Sequence, residues 1–138
     1  MSSKLANNFL EQLLQQYSGD THKIILMGSG FTFNRATHVG YSDVSASELA
    51  TQYGYTAGGQ ALSGISITQD DTNNAGVMTW SNASWNVSGG DLTASGAIIY
   101  NDTDAGDMIV GYIDFGGDQT TLDGGVATIA SPKIQIAG

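Results

Sequence analysis

From residue 60 onward no apolar stretch keeps a helical period. Short runs alternate apolar with polar residues and are cut every few positions by Gly, Asn or Asp, the pattern of strands joined by turns. The runs fall at 61–68, 77–81, 84–87, 92–100, 108–115, 120–122, 126–129 and, after Pro132, 133–136. The polar tract 70–76 turns the chain, and Asp123-Gly124-Gly125 reads as a tight hairpin turn joining 120–122 to 126–129. No helical segment separates these runs, so the crossovers that parallel strands require are missing. The expected fold is mainly β: an antiparallel β-sandwich, Ig-like or jelly-roll-like, entered from one N-terminal helix.

That helix is read over residues 3–17. Leu5, Phe9, Leu10, Leu13, Leu14 and Tyr17 recur at threes and fours and share one stripe, with Asn, Gln and Glu11 opposite. Ser2 or Ser3 can cap its start, and Ser18-Gly19-Asp20 can end it. The division expected is an amphipathic helix over 1–19 and a β-sandwich domain over 20–138. The stripe must cover something: either the sheet of its own chain or the surface of a neighbouring subunit, and these six residues are the candidate partner-binding set. Lys23 to Met27 is a short, nearly continuous apolar run closed by Gly28-Ser29-Gly30, which suits a strand buried on both faces. Residues 31–53 read as a long loop with one or two helical turns near Ser45 to Ala50.

Composition narrows the partners. The 138 residues carry eleven Asp and two Glu against four Lys and Arg, a net charge of −9, so a nucleic-acid backbone would be repelled from most of the surface. Short Asp carboxylates suit loop ends, where they accept backbone N–H bonds two residues on. The chain has no cysteine, hence no disulfide or thiolate chemistry. Neither a signal-type apolar core near the start nor a membrane-length run is present; a soluble protein made in a cytosol, with no membrane partner, is expected.

Motifs with catalytic or ligand chemistry do not assemble. After Gly28-Ser29-Gly30 the third glycine of a dinucleotide fingerprint is replaced by Phe33, and no Walker lysine follows. The loops 70–76 and 102–107 are rich in oxygen, but neither places Gly at position six together with Glu at position twelve of a calcium loop. His22 and His38 lack a nucleophile elbow such as Gly-x-Ser-x-Gly. Trp80 and Trp85, five apart, could form a sugar-stacking platform or belong to the core. Sequons at Asn82, Asn86 and Asn101 carry meaning only in a secreted chain. The expectation is a protein that is not an enzyme and uses no cofactor or metal.

Two glycine-aromatic runs stand out, Gly54-Tyr55-Thr56-Ala57-Gly58-Gly59 and Gly111-Tyr112-Ile113-Asp114-Phe115-Gly116-Gly117. Gly54 to Gly59, then Leu92-Thr93-Ala94-Ser95-Gly96-Ala97-Ile98-Ile99-Tyr100-Asn101-Asp102, then Ile109-Val110-Gly111-Tyr112-Ile113-Asp114-Phe115-Gly116, in that order and spacing, resemble a family of small β-rich virion structural proteins of tailed bacteriophages. The resemblance covers roughly residues 23–130 and leaves the helix outside. It implies a non-enzymatic building block, a homo-oligomer present in many copies on the capsid or head-to-tail neck as a decoration or collar. Its implied partners are other virion proteins (capsid, portal or neck, or tail subunits), its location the virion assembled in the bacterial cytoplasm. The alternative function is a tail-associated module binding host-surface glycan through Trp80, Trp85 and loop tyrosines.

Overall fold

A computed structural model describes residues 2–137. The chain runs α1 (Asn7–Gln15), β1 (His22–Met27), two single 3-10 turns (Tyr41–Asp43 and Ser45–Ser47), then β2 (Gln60–Ala61), β3 (Ser66–Asp70), β4 (Ala75–Thr79), β5 (Ala83–Asn86), β6 (Leu92–Asn101), β7 (Ile109–Thr121), β8 (Val126–Ile129) and β9 (Lys133–Ala137). Every pairing is antiparallel. The strands form a four-stranded sheet ordered β2-β1-β6-β7, a three-stranded sheet β3-β4-β9 and a ribbon β5-β8. The architecture is the expected antiparallel, sandwich-like one with a single N-terminal helix.

The larger sheet is covered on both faces: its two central strands are buried at every position but Lys23 and Thr93. Ile24 and Leu26 of β1, with Leu92, Ala94, Ala97 and Ile99 of β6, face a core completed by Met78, Trp80, Ala83, Trp85 and Val87 from the smaller sheets. Ile25, Met27, Ile98 and Tyr100 point the other way, where residues 28–59 wrap the sheet with Val44, Phe31, Phe33 and Tyr41. Such strands read as continuous apolar runs rather than alternations, as the Lys23 to Met27 segment does.

Several expected boundaries move. The run at 61–68 is two strands, β2 and β3, which join different sheets. The separate strand at 120–122 does not exist: β7 continues through it to Thr121, opposite Leu92. Ser95 alone on β6 faces the four residues 115–118, since Ala94 pairs with Gln119 and Gly96 with Asp114; this bulge holds Gly116-Gly117, both at positive φ. Asp123-Gly124-Gly125 does turn the chain, with Gly125 N–H donating to Leu122 C=O at 2.9 Å, yet it closes no hairpin. β8 leaves for β5, pairing Ala127 with Trp85. The turn at 71–74 is a true hairpin connection, setting Asp70 opposite Ala75.

Helix α1 is shorter than 3–17. Ala6 stands at its N-cap with no side-chain capping bond, so neither Ser2 nor Ser3 fills that role. The helix lies on β4, where Gly76 permits the approach: a Cβ there would sit 2.7 Å from the backbone carbonyl of Leu10.

Candidate functional site

The six residues of the expected stripe divide by position: Leu5 precedes α1 and Tyr17 follows it, leaving four on the helix. Leu10 and Leu14 are buried and Leu13 and Tyr17 half-buried, with Leu14 packed into the main core. Phe9 in the first turn and Leu5, just before the N-cap, are each 50% exposed. The stripe is therefore wider than its contact with its own sheet. Asn7 ties the helix to the hairpin loop by donating to Asp71 at 3.0 Å and Asn74 at 3.2 Å. The helix is thus seated in cis, with an apolar outer pair left beside it.

The first glycine-aromatic run builds a clamp. Glu48, just after the second 3-10 turn, receives the hydroxyls of Tyr41 and Tyr55 and the N–H of Gly58 at 2.8 Å. The Tyr55 hydroxyl also accepts from Leu26 N–H at 3.1 Å, on β1, and Tyr100 of β6 donates to Gly58 C=O at 3.0 Å. Tyr41 stacks on Tyr100 with ring centroids 5.0 Å apart. Burial, reinforced by the Glu48 carboxylate, pushes the Tyr41 and Tyr55 hydroxyls well above the usual phenol range. For Tyr100, burial first and then Asp102 raise it to about 12. Phenols so raised stay protonated and donate. The group fastens the long 28–59 connection to the sheet. Tyr55 was visible in its run, whereas Glu48 and Tyr41 carried no local signal, because their partners lie 7 residues away through a fold in the loop.

The second run places Tyr112 on β7 under an aromatic cover. Phe33 stacks on it at 5.3 Å and Phe31 meets it edge-on at 5.7 Å. His38 lies against both phenylalanines and accepts the Asn34 N–H at 3.0 Å. Between this cover, β7 and β9 runs a cleft of about 730 Å³, with Arg35 and Lys133 among its lining. β7 is the outermost strand of its sheet, so one of its edges is open above the contact of Ile109 N–H with Val39 C=O.

The remaining candidates are occupied by structural roles. In the Gly28-Ser29-Gly30 turn, Gly28 N–H donates to Ser47 C=O, Ser95 donates to Gly28 C=O at 2.7 Å and Ser29 to the Asp118 carboxylate at 2.6 Å; an acid at this loop opposes phosphate. Asp104 closes its own loop by accepting from Gly106 and Met108 N–H. Asp70 does the same with Thr72 and Asn73, and the Asn73 side chain holds its carboxyl below the usual range. Among the described residues no three His, Asp or Glu side chains gather as a metal-binding group. Trp80 and Trp85 are 3% and 6% exposed and pack against His22 and Tyr55 respectively, so they form no exposed sugar platform. Asn101 is buried, donating to Asp20 at 2.8 Å and accepting from Thr103 and Asp104. His22 is also buried, and the structure brings it no hydroxyl partner.

The geometry defines an antiparallel β-sandwich-like protein with a cis-seated helix and an outer apolar pair. In comparisons with known proteins, the chain matches no family model, no curated protein and no solved structure.

Proposed function

We propose that this chain is a non-enzymatic structural subunit of a tailed-phage virion, assembling in many copies on the capsid or head-to-tail neck. The observation that carries the reading is the exposed apolar pair at the start of α1, Phe9 in its first turn and Leu5 just before its N-cap. Leu10 and Leu14 already hold the helix to its own sheet, yet Phe9 and, ahead of the N-cap, Leu5 stand half-exposed, and an exposed apolar pair beside a seated helix is what a neighbouring subunit covers. The order of the glycine-aromatic runs and the family they resemble support the same reading. The polar groups of this chain mostly close its own loops and clamp its own sheet, as in a scaffold that works through its surface.

The test leaves the cis contacts intact. Phe9→Ser combined with Leu5→Ser is added to particles lacking this protein, beside the wild type. Wild-type chains are expected to bind the particles and the double variant to lose at least tenfold in occupancy, while both keep the same circular dichroism. Equal occupancy removes α1 as the anchor, and a wild type that binds no particle removes the virion reading.

A further inference from the structure

A cleft of about 320 Å³ opens where the C-terminal end of α1 meets both sheets. Leu14, Met78 of β4, Val110 of β7 and Ile134 of β9 are among the mostly aliphatic walls; Tyr17, Gln135 of β9 and His22, the first residue of β1, are its polar members. His22 is 1% exposed. Its two ring nitrogens are the only buried side-chain nitrogen or oxygen atoms without a hydrogen-bond partner of good geometry among the described residues; the Asp20 backbone lies near enough to draw the ring's pKa upward but outside that geometry. Buried polar groups are rarely left so, and the other buried polar side chains among the described residues have hydrogen-bond partners. The Trp80 ring lies 5.3 Å from the imidazole, tilted by 57°, and closes one side of it.

We infer that the cleft is a binding site for a small, uncharged, largely aliphatic molecule with one hydrogen-bonding head group, a hydroxyl or primary amide, received by His22. The size lies at the low end of ligand sites, and the lining combines an apolar wall with a few polar groups, His22, Gln135 and the Tyr17 phenol, of which His22 is the buried one without a hydrogen-bond partner. A cavity of about 150 Å³ already accepts benzene, so six-carbon chains have room. A neutral imidazole carries one donor and one acceptor, matching a hydroxyl or amide, both of which donate and accept. An anionic head is disfavoured, because nothing in the wall is cationic and Asp20 lies near the ring. This inference stands apart from the virion reading, and neither depends on the other.

The test uses the whole chain with 1-hexanol, hexanamide and hexanoate as probes, read by imidazole ¹⁵N signals. The chain has only two histidines, and His22→Leu assigns them. Saturable shifts of the His22 signals with 1-hexanol and hexanamide are expected, with hexanoate at least tenfold weaker at pH 8. His22→Leu, read by tryptophan fluorescence in a Trp85→Phe background that leaves Trp80 as the one indole, should weaken 1-hexanol about tenfold. Val110→Phe, which keeps His22 and fills the cleft from the β7 side, should abolish the shifts. The inference is overturned by absence of saturation, by unchanged hexanol affinity in His22→Leu, by hexanoate binding as tightly as hexanol, or by a bound water on the ring that the probes do not displace.

Discussion

At the scale of single residues, the first glycine-aromatic run is constrained by what it touches. Gly59 stands at φ +72°, and a Cβ there would come 1.9 Å from the Ile24 carbonyl on β1; both the conformation and the space demand glycine. Gly116, in the β7 bulge, has a similar φ of +77° but nothing within 4 Å. Gly59→Ala should therefore cost about 3 kcal/mol or more and Gly116→Ala only about 1 kcal/mol, the cost of the left-handed conformation alone. Urea denaturation of the two variants checks this, and equal losses would mean that the close approach to Ile24 is not what fixes Gly59. That Gly54 to Gly59 enters sheet structure was legible from its residue types, since glycines at positive φ beside an aromatic mark turns. Its role as a clamp was not, because the clamp is completed by Glu48 and Tyr100, whose positions depend on tertiary folding.

At the scale of elements, the helix and the strands differ in how far sequence determines them. The α1 stripe was legible because a 3.6-residue period needs only local spacing, but the periodicity assigns all six apolar residues the same face. The structure separates an inner line, Leu10 and Leu14, from the outer pair Leu5 and Phe9. Leu10→Ala should destabilise by about 2–4 kcal/mol, whereas Phe9→Ala should change stability by less than about 0.5 kcal/mol. Thermal and urea unfolding of both variants decide it; similar losses would place Phe9 in the cis contact and withdraw it from any partner surface. Among strands, β4, β5, β6, β8 and β9 were legible within a few residues. The extension of β7 through Gly116-Gly117 was not, since two glycines in a row signal a turn unless the neighbouring strand keeps its register across them. The departure of β8 to β5 was equally hidden, for strand pairing is a non-local choice that the turn at Asp123-Gly124-Gly125 does not dictate.

At the scale of the whole molecule, the acidic balance and the buried imidazole act on stability over different pH ranges. Exposed carboxylates such as Asp70 and Asp43 are held below their usual range by hydrogen bonds from their own loops; the stability they contribute is present above the unfolded carboxylate pKa and is lost as pH falls through the folded one. Acidification in that same range relieves the self-repulsion of a chain with net charge −9, so the two effects oppose each other below about pH 5. Between pH 7 and 5 His22 is the group with a resolved shift that titrates. Its burial lowers its pKa in the folded chain, against a partial pull upward from Asp20. The unfolded chain takes up a proton near pH 6.5 that the folded chain resists, so His22 contributes a fall in stability as pH drops from 7 towards 5. His22→Leu removes the titrating group and two unpartnered nitrogens while keeping an apolar side chain against Trp80. The variant is expected to lose the decline in Tm between pH 7 and 5 and to match or exceed the wild type at pH 5. Calorimetry on both proteins across that range measures it: parallel profiles would mean that the acid sensitivity of the fold lies in its carboxylates, and a variant less stable throughout would mean that the imidazole makes a contact Leu cannot replace.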